Sequence, residues 1–542
     1  MAADSVQSMV SGRGRGWLSA GLLACLVAWA TLLGGCAVTA ETRAKSAPGA
    51  LKLEADQGLL ALKITSNRPA VSTFFVKWST LRVKNVATQE TTAILERSDS
   101  SAGHALFVQP LPAGEYQVEA VGNQASGWMT ITEGARAGQV LPRFRIEPRR
   151  LTDLGTLVYV RRHYPINSSL FRWAQQDSPH DRTGVMRQLD PALASVLSAQ
   201  TTLGWNEGLQ LQLLQLAYDE SRRRTLRAAS PLLRPDGSLL LGESFGQIAV
   251  RSPAGLWTWI QTPTALPIRA VHQDLAGALF AGSDDGLLLV RQAHGTAWQA
   301  VDLPASDASV VHIGQLPGTE QLLVVLQTRD RFVALAGVPG QLGQWVQQFS
   351  QARDLFSNPA FDAHSRVLVT GDRVAVVMGG VQSSMAVGLF DAGAAQWRIV
   401  PQAETSLPAA WAAMPGGGLG RFRGIPLTGM GFTSSADGGV TWAKRGDLNW
   451  AGGSLLFTSE RVGYVVRTES IPAFDPEKFG LSIWRTDDAG QSWAAVGTTP
   501  ASAGQLIRLA GGPEAIAYVS ANGQFFASSD GGKTWKLERQ VD

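Results

Sequence analysis

The pattern of apolar and polar positions changes character several times along the chain. Residues 17–33 form one apolar run behind Arg13 and Arg15. From Gly58 the pattern becomes a series of short β-rich runs, "LLALKITS", "STFFVKWSTLRV", "TAILERS", "HALFVQPL", "EYQVEAVG" and "RFRIEP", separated by turn residues. Six or seven such strands in about a hundred residues predict a two-sheet β-sandwich over 51–150. Beyond it the period turns helical. Leu193, Val196 and Leu197 recur at helix spacing behind Asp190 and Pro191, an N-cap with proline at the first helical position, and Asn206 caps a second helix. Residues 151–226 therefore read as a partly helical connector. Its His163 and His180 fit no compact metal-ligand spacing and belong to a surface loop.

Short strands return from 227 to 542, and here the chain repeats itself. "SADGGVTW" (435–442), "TDDAGQSW" (486–493) and "SSDGGKTW" (528–535) share the frame Ser/Thr-x-Asp-x-Gly-x-Ser/Thr-Trp. Earlier segments keep only a glycine followed by a tryptophan, as in Gly255 with Trp259, Gly295 with Trp298, Gly343 with Trp345 and Gly393 with Trp397. The seven markers Trp259, Trp298, Trp345, Trp397, Trp442, Trp493 and Trp535 are separated by 39, 47, 52, 45, 51 and 42 residues. Units of that size carrying four strands each predict a seven-bladed β-propeller, with six and eight blades as the adjacent counts. The fold class is mostly β.

The octet reads as a hairpin joining the third and fourth strands of a blade. Gly439, Gly490 and Gly532 accept positive φ, and Asp437, Asp488 and Asp530 accept hydrogen bonds from their own turn. Ser435, Thr486 and Ser528 satisfy further backbone groups, while Trp442, Trp493 and Trp535 bury their rings on a neighbouring blade. A calcium loop needs several oxygen ligands, whereas each octet supplies one or two carboxylates. The reading is structural, with no metal and no cofactor.

The octet resembles the Asp-box of sialidases, sortilin-type receptors and other repeat propellers. Residues 227–542 as a whole resemble bacterial propellers similar to the photosystem II assembly factor, a likeness that implies binding or assembly of other proteins. "LPAGEYQV" (111–118) resembles a hairpin corner of prealbumin-like and carboxypeptidase-regulatory-like domains. "LGGC" (33–36) resembles the lipobox of bacterial lipoproteins, which implies a signal peptide over 1–35, a lipid on Cys36 and a tether over 36–50. Ala37 after the cysteine implies sorting to the outer membrane, with the protein facing either the periplasm or the outside. The alternative reading of 17–33 is an uncleaved transmembrane anchor, for which it is barely long enough.

Composition agrees with a folded extracytoplasmic protein. Hydrophobic residues make up 45% and charged residues 17%, the balance of a globular chain. The two cysteines, Cys25 and Cys36, leave no disulfide once the signal is removed, so stability must come from a core. Without residues 1–35, Lys+Arg falls from 47 to 45 and Asp+Glu from 44 to 43, a net charge near +2 that offers no field to attract nucleic acid. The triplet Arg222, Arg223 and Arg224 reads as a solvated helix end.

Sialidases pair this fold with an arginine triad, a tyrosine nucleophile with a glutamate partner, and an "FRIP" string. Here the nearest string, 422–426, is interrupted by Gly424 and falls in the fifth unit, and Tyr464 and Tyr518 lie where core packing accounts for them. Asp284-Asp285-Gly286 reads as an ordinary turn. No catalytic residue is assigned; a glycoside hydrolase with a non-standard site is the alternative. The expected function is that of a lipid-anchored envelope binding or scaffold protein with a protein or glycan partner, using the face opposite the octets. Arg421 and Arg423 in "GRFRGIP" (420–426), and Arg467, Glu469 and Lys478 in "RTESIPAFDPEKFG" (467–480), are the candidate binding-loop residues, since long loops on rigid scaffolds carry function.

Overall fold

The structure, a computed structural model, describes residues 52–66, 80–97, 104–123, 127–130, 143–161, 171–176, 202–203, 218–219, 221–223, 231–305, 308–328, 331–341, 343–352, 366–378, 385–402, 410–425, 429–448, 454–468, 481–501, 504–520 and 523–539. Its first ten strands are β1 (Gln57–Ser66), β2 (Thr80–Asn85), β3 (Thr91–Leu95), β4 (His104–Pro112), β5 (Gly114–Asn123), β6 (Gly127–Thr130), β7 (Phe144–Ile146), β8 (Leu151–Arg161), β9 (Phe171–Gln176) and β10 (Thr202–Leu203). They form two sheets, one in the order β10-β8-β1-β4 with β9 on β8, the other β3-β2-β5-β6 with β7 on β5. One core fills the space between them, with Leu60, Leu62, Ile64 and Phe107 from the first sheet and Leu81, Val83, Val118, Val121 and Phe144 from the second.

Side chains alternate across a strand, so the residues between these core positions point the other way. In β1 those are Leu59, Ala61, Lys63 and Thr65, and in β4 they are His104, Leu106 and Val108; all are buried too. The first sheet is therefore covered on both faces. This explains why "LLALKI" and "HALFV" read as continuous apolar runs rather than alternating ones.

Two expectations about the connector are corrected here. Residues 151–161, assigned to it from sequence, form β8, which pairs in parallel with β1, for example Ile64 opposite Leu157. The start of the connector is thus part of the N-terminal sheets. Nor is the arginine triplet wholly solvated: the half-buried Arg222 guanidinium lies 5.5 Å from the Trp259 ring and its backbone carbonyl accepts from Arg539, whereas Arg223 is exposed and Arg224 lies outside the described residues. Helical backbone is described at Tyr218, Asp219, Ser221 and Arg222. Asp190, Pro191, Asn206, His163 and His180 lie outside the described residues, as do the leader, Cys36 and the tether. Among the described residues no helix is long and apolar enough to cross a membrane.

From residue 232 the described strands assemble into seven four-stranded antiparallel sheets of consecutive strands. We number them 1 to 7; they span 232–261, 268–302, 309–352, 366–402, 410–448, 455–498 and 504–539. Successive sheets pack face to face as propeller blades do. Leu240 and Ile248 of sheet 1 meet Ile268, Leu279 and Leu289 of sheet 2. The neighbouring residues Leu239, Leu241 and Ala249 turn the other way and meet Ile507, Ala517 and Phe525 of sheet 7. Because the first and last sheets each use only consecutive strands, this closing contact rests on side chains. Arg251 in sheet 1 joins Glu538 in sheet 7 through two 2.7 Å bonds, both side chains nearly buried, and Arg539 pairs with Glu243.

The marker tryptophans reach back to the preceding sheet. The indole N–H of Trp298 donates to the Gln261 carbonyl, that of Trp345 to Asp302 and that of Trp535 to Thr498, at 3.0 to 3.2 Å. Each acceptor lies at or just beyond the end of the previous outer strand. The ring thus measures one blade, which is why tryptophan spacing follows blade spacing.

Candidate functional site

In a four-stranded meander, the turn from first to second strand and the turn from third to fourth lie at one end; the turn from second to third and the exit to the next sheet lie at the other. The octets occupy the first end. Ser435 Oγ donates to Asp437 Oδ1 and accepts from the Gly439 N–H, both at 2.7 Å. Thr441 donates its N–H and its hydroxyl to the same carboxylate at 2.9 and 2.5 Å. The second and third octets repeat this: Gly490 N–H to Thr486 and Ser492 N–H to Asp488, then Gly532 N–H to Ser528 and Thr534 N–H to Asp530. Gly439, Gly490 and Gly532 sit at φ 98°, 88° and 89°, where a β-carbon is disfavoured.

Both oxygens of each octet aspartate are engaged by donors of the same turn. At Asp437 and Asp488 burial pushes the pKa up but is outweighed by the bonds from Thr441 and Ser492; at Asp530 the Thr534 hydroxyl dominates. All three are held at about 2. The geometry is that of a hairpin clamp.

The opposite end holds a different chemistry. Asp284 and Asp285, in the turn between the second and third strands of sheet 2, are buried and face the N-terminal sheets. Lys63 of β1 pairs with Asp285. The His104 Nε2 of β4 lies 3.1 Å from Asp285 Oδ1, and its Nδ1 lies 3.8 Å from Asp284 Oδ2. From the propeller side, Arg269 donates to both Asp284 oxygens at 3.2 and 3.1 Å, and Ser309 Oγ donates to Oδ1 at 2.7 Å. Asp285 is held at φ 58°, and the Gly286 N–H donates to the Ala308 carbonyl at 2.6 Å. The expectation of an ordinary turn is corrected: these carboxylates are the buried half of an inter-module ion cluster.

Burial would raise both carboxylates, but Arg269 and His104 hold Asp284, and His104 and Lys63 hold Asp285, well below the usual carboxylate range. For His104, burial favours loss of the proton, yet the Asp285 charge and the contacts to both aspartates raise it to about 9 against the opposing charge of Lys63. The cluster is ionised at neutral pH. Aspartates held ionised in this way cannot donate a proton in hydrolysis.

Sequence reasoning did not single out Lys63 or His104. The available signal was a polar residue inside an otherwise apolar strand, at a position facing away from its own core.

The predicted binding residues separate. Arg421, expected in an exposed insertion, is buried in the strand Gly418–Ile425; its guanidinium lies 3.6 Å from the Trp442 ring centre and 5.2 Å from that of Trp411, and it donates to Gln402 at 2.9 Å. Its burial against two rings corrects the binding-loop assignment. Arg423 lies on the same strand. Arg467 is half-buried near the end of the strand Gly463–Thr468, 4.6 Å from the Trp484 ring. Glu469 and Lys478 lie outside the described residues.

Tyr464 is buried at the octet end, where its hydroxyl donates to the Pro513 carbonyl at 3.1 Å beside Glu514 and Arg485. Burial pushes its pKa well up, so the hydroxyl keeps its proton. On the first strands of sheets 2 and 3, His272 and His312 are both kept neutral; burial and then the neighbouring His272 lower His312 to about 4.

No family model and no curated protein matches this chain. Among solved structures, YCF48 bound to D1 peptide is similar over 56% of this chain and 93% of that one, at 12% identity and a TM-score of 0.41. YCF48 from Cyanidioschyzon merolae covers 56% and 96% at 12% identity and a TM-score of 0.41. Virginiamycin B lyase from Staphylococcus aureus covers 56% and 96% at 12% identity and a TM-score of 0.39. Likeness at this level says nothing of what this chain binds.

Proposed function

We propose that this protein is a lipid-anchored binding protein of the bacterial cell envelope. In this reading the lipid on Cys36 and the 36–50 tether lead into a β-sandwich fixed on a seven-bladed propeller of the Asp-box kind. The propeller takes a protein partner at the end opposite the octets. One observation carries the reading: that end already holds a folded protein surface, the chain's own β1 and β4, through Asp284 and Asp285. The octet end instead directs its carboxylates into its own turns.

Among the described residues the N-terminal sheets meet the end opposite the octets at sheets 1 and 2, and Arg222 meets it at Arg539 of sheet 7, which leaves the arc of sheets 3 to 6 for a partner. The second-to-third-strand connections of that arc include 469–480, the longest part of the insertion noted in the sequence. Burial of Tyr464 with its proton retained, and of Asp284 and Asp285 as ion-paired carboxylates, supports binding over glycoside hydrolysis.

The test is capture from detergent-solubilised envelope by the intact lipoprotein and by a variant lacking 469–480. Proteins retained by the first and lost by the second are expected. The same set captured by both contradicts the assignment of that end, and capture of glycan in place of protein contradicts the choice of partner.

A further inference from the structure

The contact between the N-terminal sheets and sheet 2 contains buried charge, on the face of β1 and β4 that also buries Leu59, Ala61, Leu106 and Val108. Taking a carboxylate and an ammonium out of water costs several kcal/mol per ion, and replacing a buried pair by apolar residues is often neutral or stabilising. Breaking such a pair from one side, however, strands the other charge. A contact of this kind is close to all-or-none.

Three features make it separable from the two folds it joins. Each side has its own core, with Leu60, Leu81 and Phe107 on one side and Leu240, Ile268 and Leu289 on the other. The signs are divided between modules: Lys63 and His104 come from β1 and β4, and Asp284 and Asp285 from one propeller turn. The propeller also holds its own half in place, through Arg269 on the first strand of sheet 2 and Ser309 on the first strand of sheet 3. The turn at Ser244–Gly246, which joins the second and third strands of sheet 1, lies beside β1 at the same end.

We infer that the Lys63–His104–Asp284–Asp285 cluster is a clasp by which the N-terminal sheets cap the second-to-third-strand turns of sheets 1 and 2, an autoinhibitory contact that opens while both modules stay folded. This rests on the reading of that end as the binding end. With the clasp closed, a partner meets the arc of sheets 3 to 6; with it open, the turns of sheets 1 and 2 join the surface.

Hydrogen exchange on the full chain at pH 7.5 tests the clasp without reference to any partner. In Asp285→Asn, amides of the turn residues 244–245 and 284–285, which lie outside the strand ladders, are expected to exchange at least tenfold faster, while the ladder amides of 62–65 and the octets 435–442, 486–493 and 528–535 keep wild-type rates. The double variant Lys63→Met/Asp285→Leu, which replaces the ion pair by apolar contact, is expected to return the junction to slow exchange. Unchanged junction rates in Asp285→Asn overturn the clasp, as does equal acceleration in the octets, which would make the cluster part of a single core. Envelope capture then separates the two claims. Greater capture by Asp285→Asn than by wild type supports autoinhibition, and equal capture overturns it. Capture of no protein by either chain contradicts the binding reading and leaves the exchange result to decide the clasp.

Discussion

The Nε2 of His104 lies 3.1 Å from Oδ1 of Asp285, one residue on the N-terminal sheets and the other in a propeller turn, the imidazole wholly withdrawn from solvent. The contact should respond to pH in a direction fixed by the raised His104 value. A group whose folded pKa is raised contributes fully below its ordinary value, here 6.5, and loses that contribution as pH rises through about 9. Small-angle scattering on the full chain should therefore show constant dimensions from pH 5 to 8 and an expansion by pH 10.5. The aspartates act in the opposite sense, their contribution being complete above the ordinary carboxylate value and lost only in strong acid.

Ring closure predicts a second effect. Arg251 and Glu538 are buried partners across the first and last sheets, so Glu538→Gln should destabilise the propeller by about 3–5 kcal/mol, the usual penalty for stranding one buried charge. Denaturant unfolding measures it, and Arg251→Met/Glu538→Leu should recover most of the loss.

The octet clamp predicts a smaller one. Asp530→Ala removes the acceptor for Lys533, Thr534 and the Ser528 hydroxyl, and should cost about 0.5–1.5 kcal/mol, because water can take the place of the lost acceptor at this exposed turn. The clamp should persist in acid until pH falls through about 2, the lowered value of Asp530. Calcium chelation should leave the thermal midpoint unchanged.

Trp535→Phe keeps an aromatic side chain but loses the pyrrole half of the indole, and with it the N–H that reaches the Thr498 carbonyl. A loss of about 1 kcal/mol in denaturant unfolding is expected.

The sequence was informative wherever a physical requirement repeats. Seven tryptophans tracked the sheets because each ring spans one sheet spacing, and the octets showed their hairpins because the glycine and aspartate requirements are local. The β8 strand was misassigned because its pairing with β1 is parallel and distant in sequence, which no local signal records. Arg421 looked exposed because arginine usually is, and only the two tryptophans around it, one of them in another strand, account for its burial. The clasp was out of reach because Lys63 and Asp285 lie 222 residues apart, and neither a lysine in an apolar strand nor an Asp-Asp-Gly turn identifies the other as its partner.

The central claim is that a partner binds the end opposite the octets. It is tested most directly by placing a photo-crosslinking amino acid, one site at a time, at Arg331 and Thr499 on that end and at Val440 and Lys533 on the octet end, followed by irradiation of intact cells. Adducts at Arg331 or Thr499 and none at Val440 or Lys533 is the predicted result. Adducts confined to Val440 or Lys533 would contradict it.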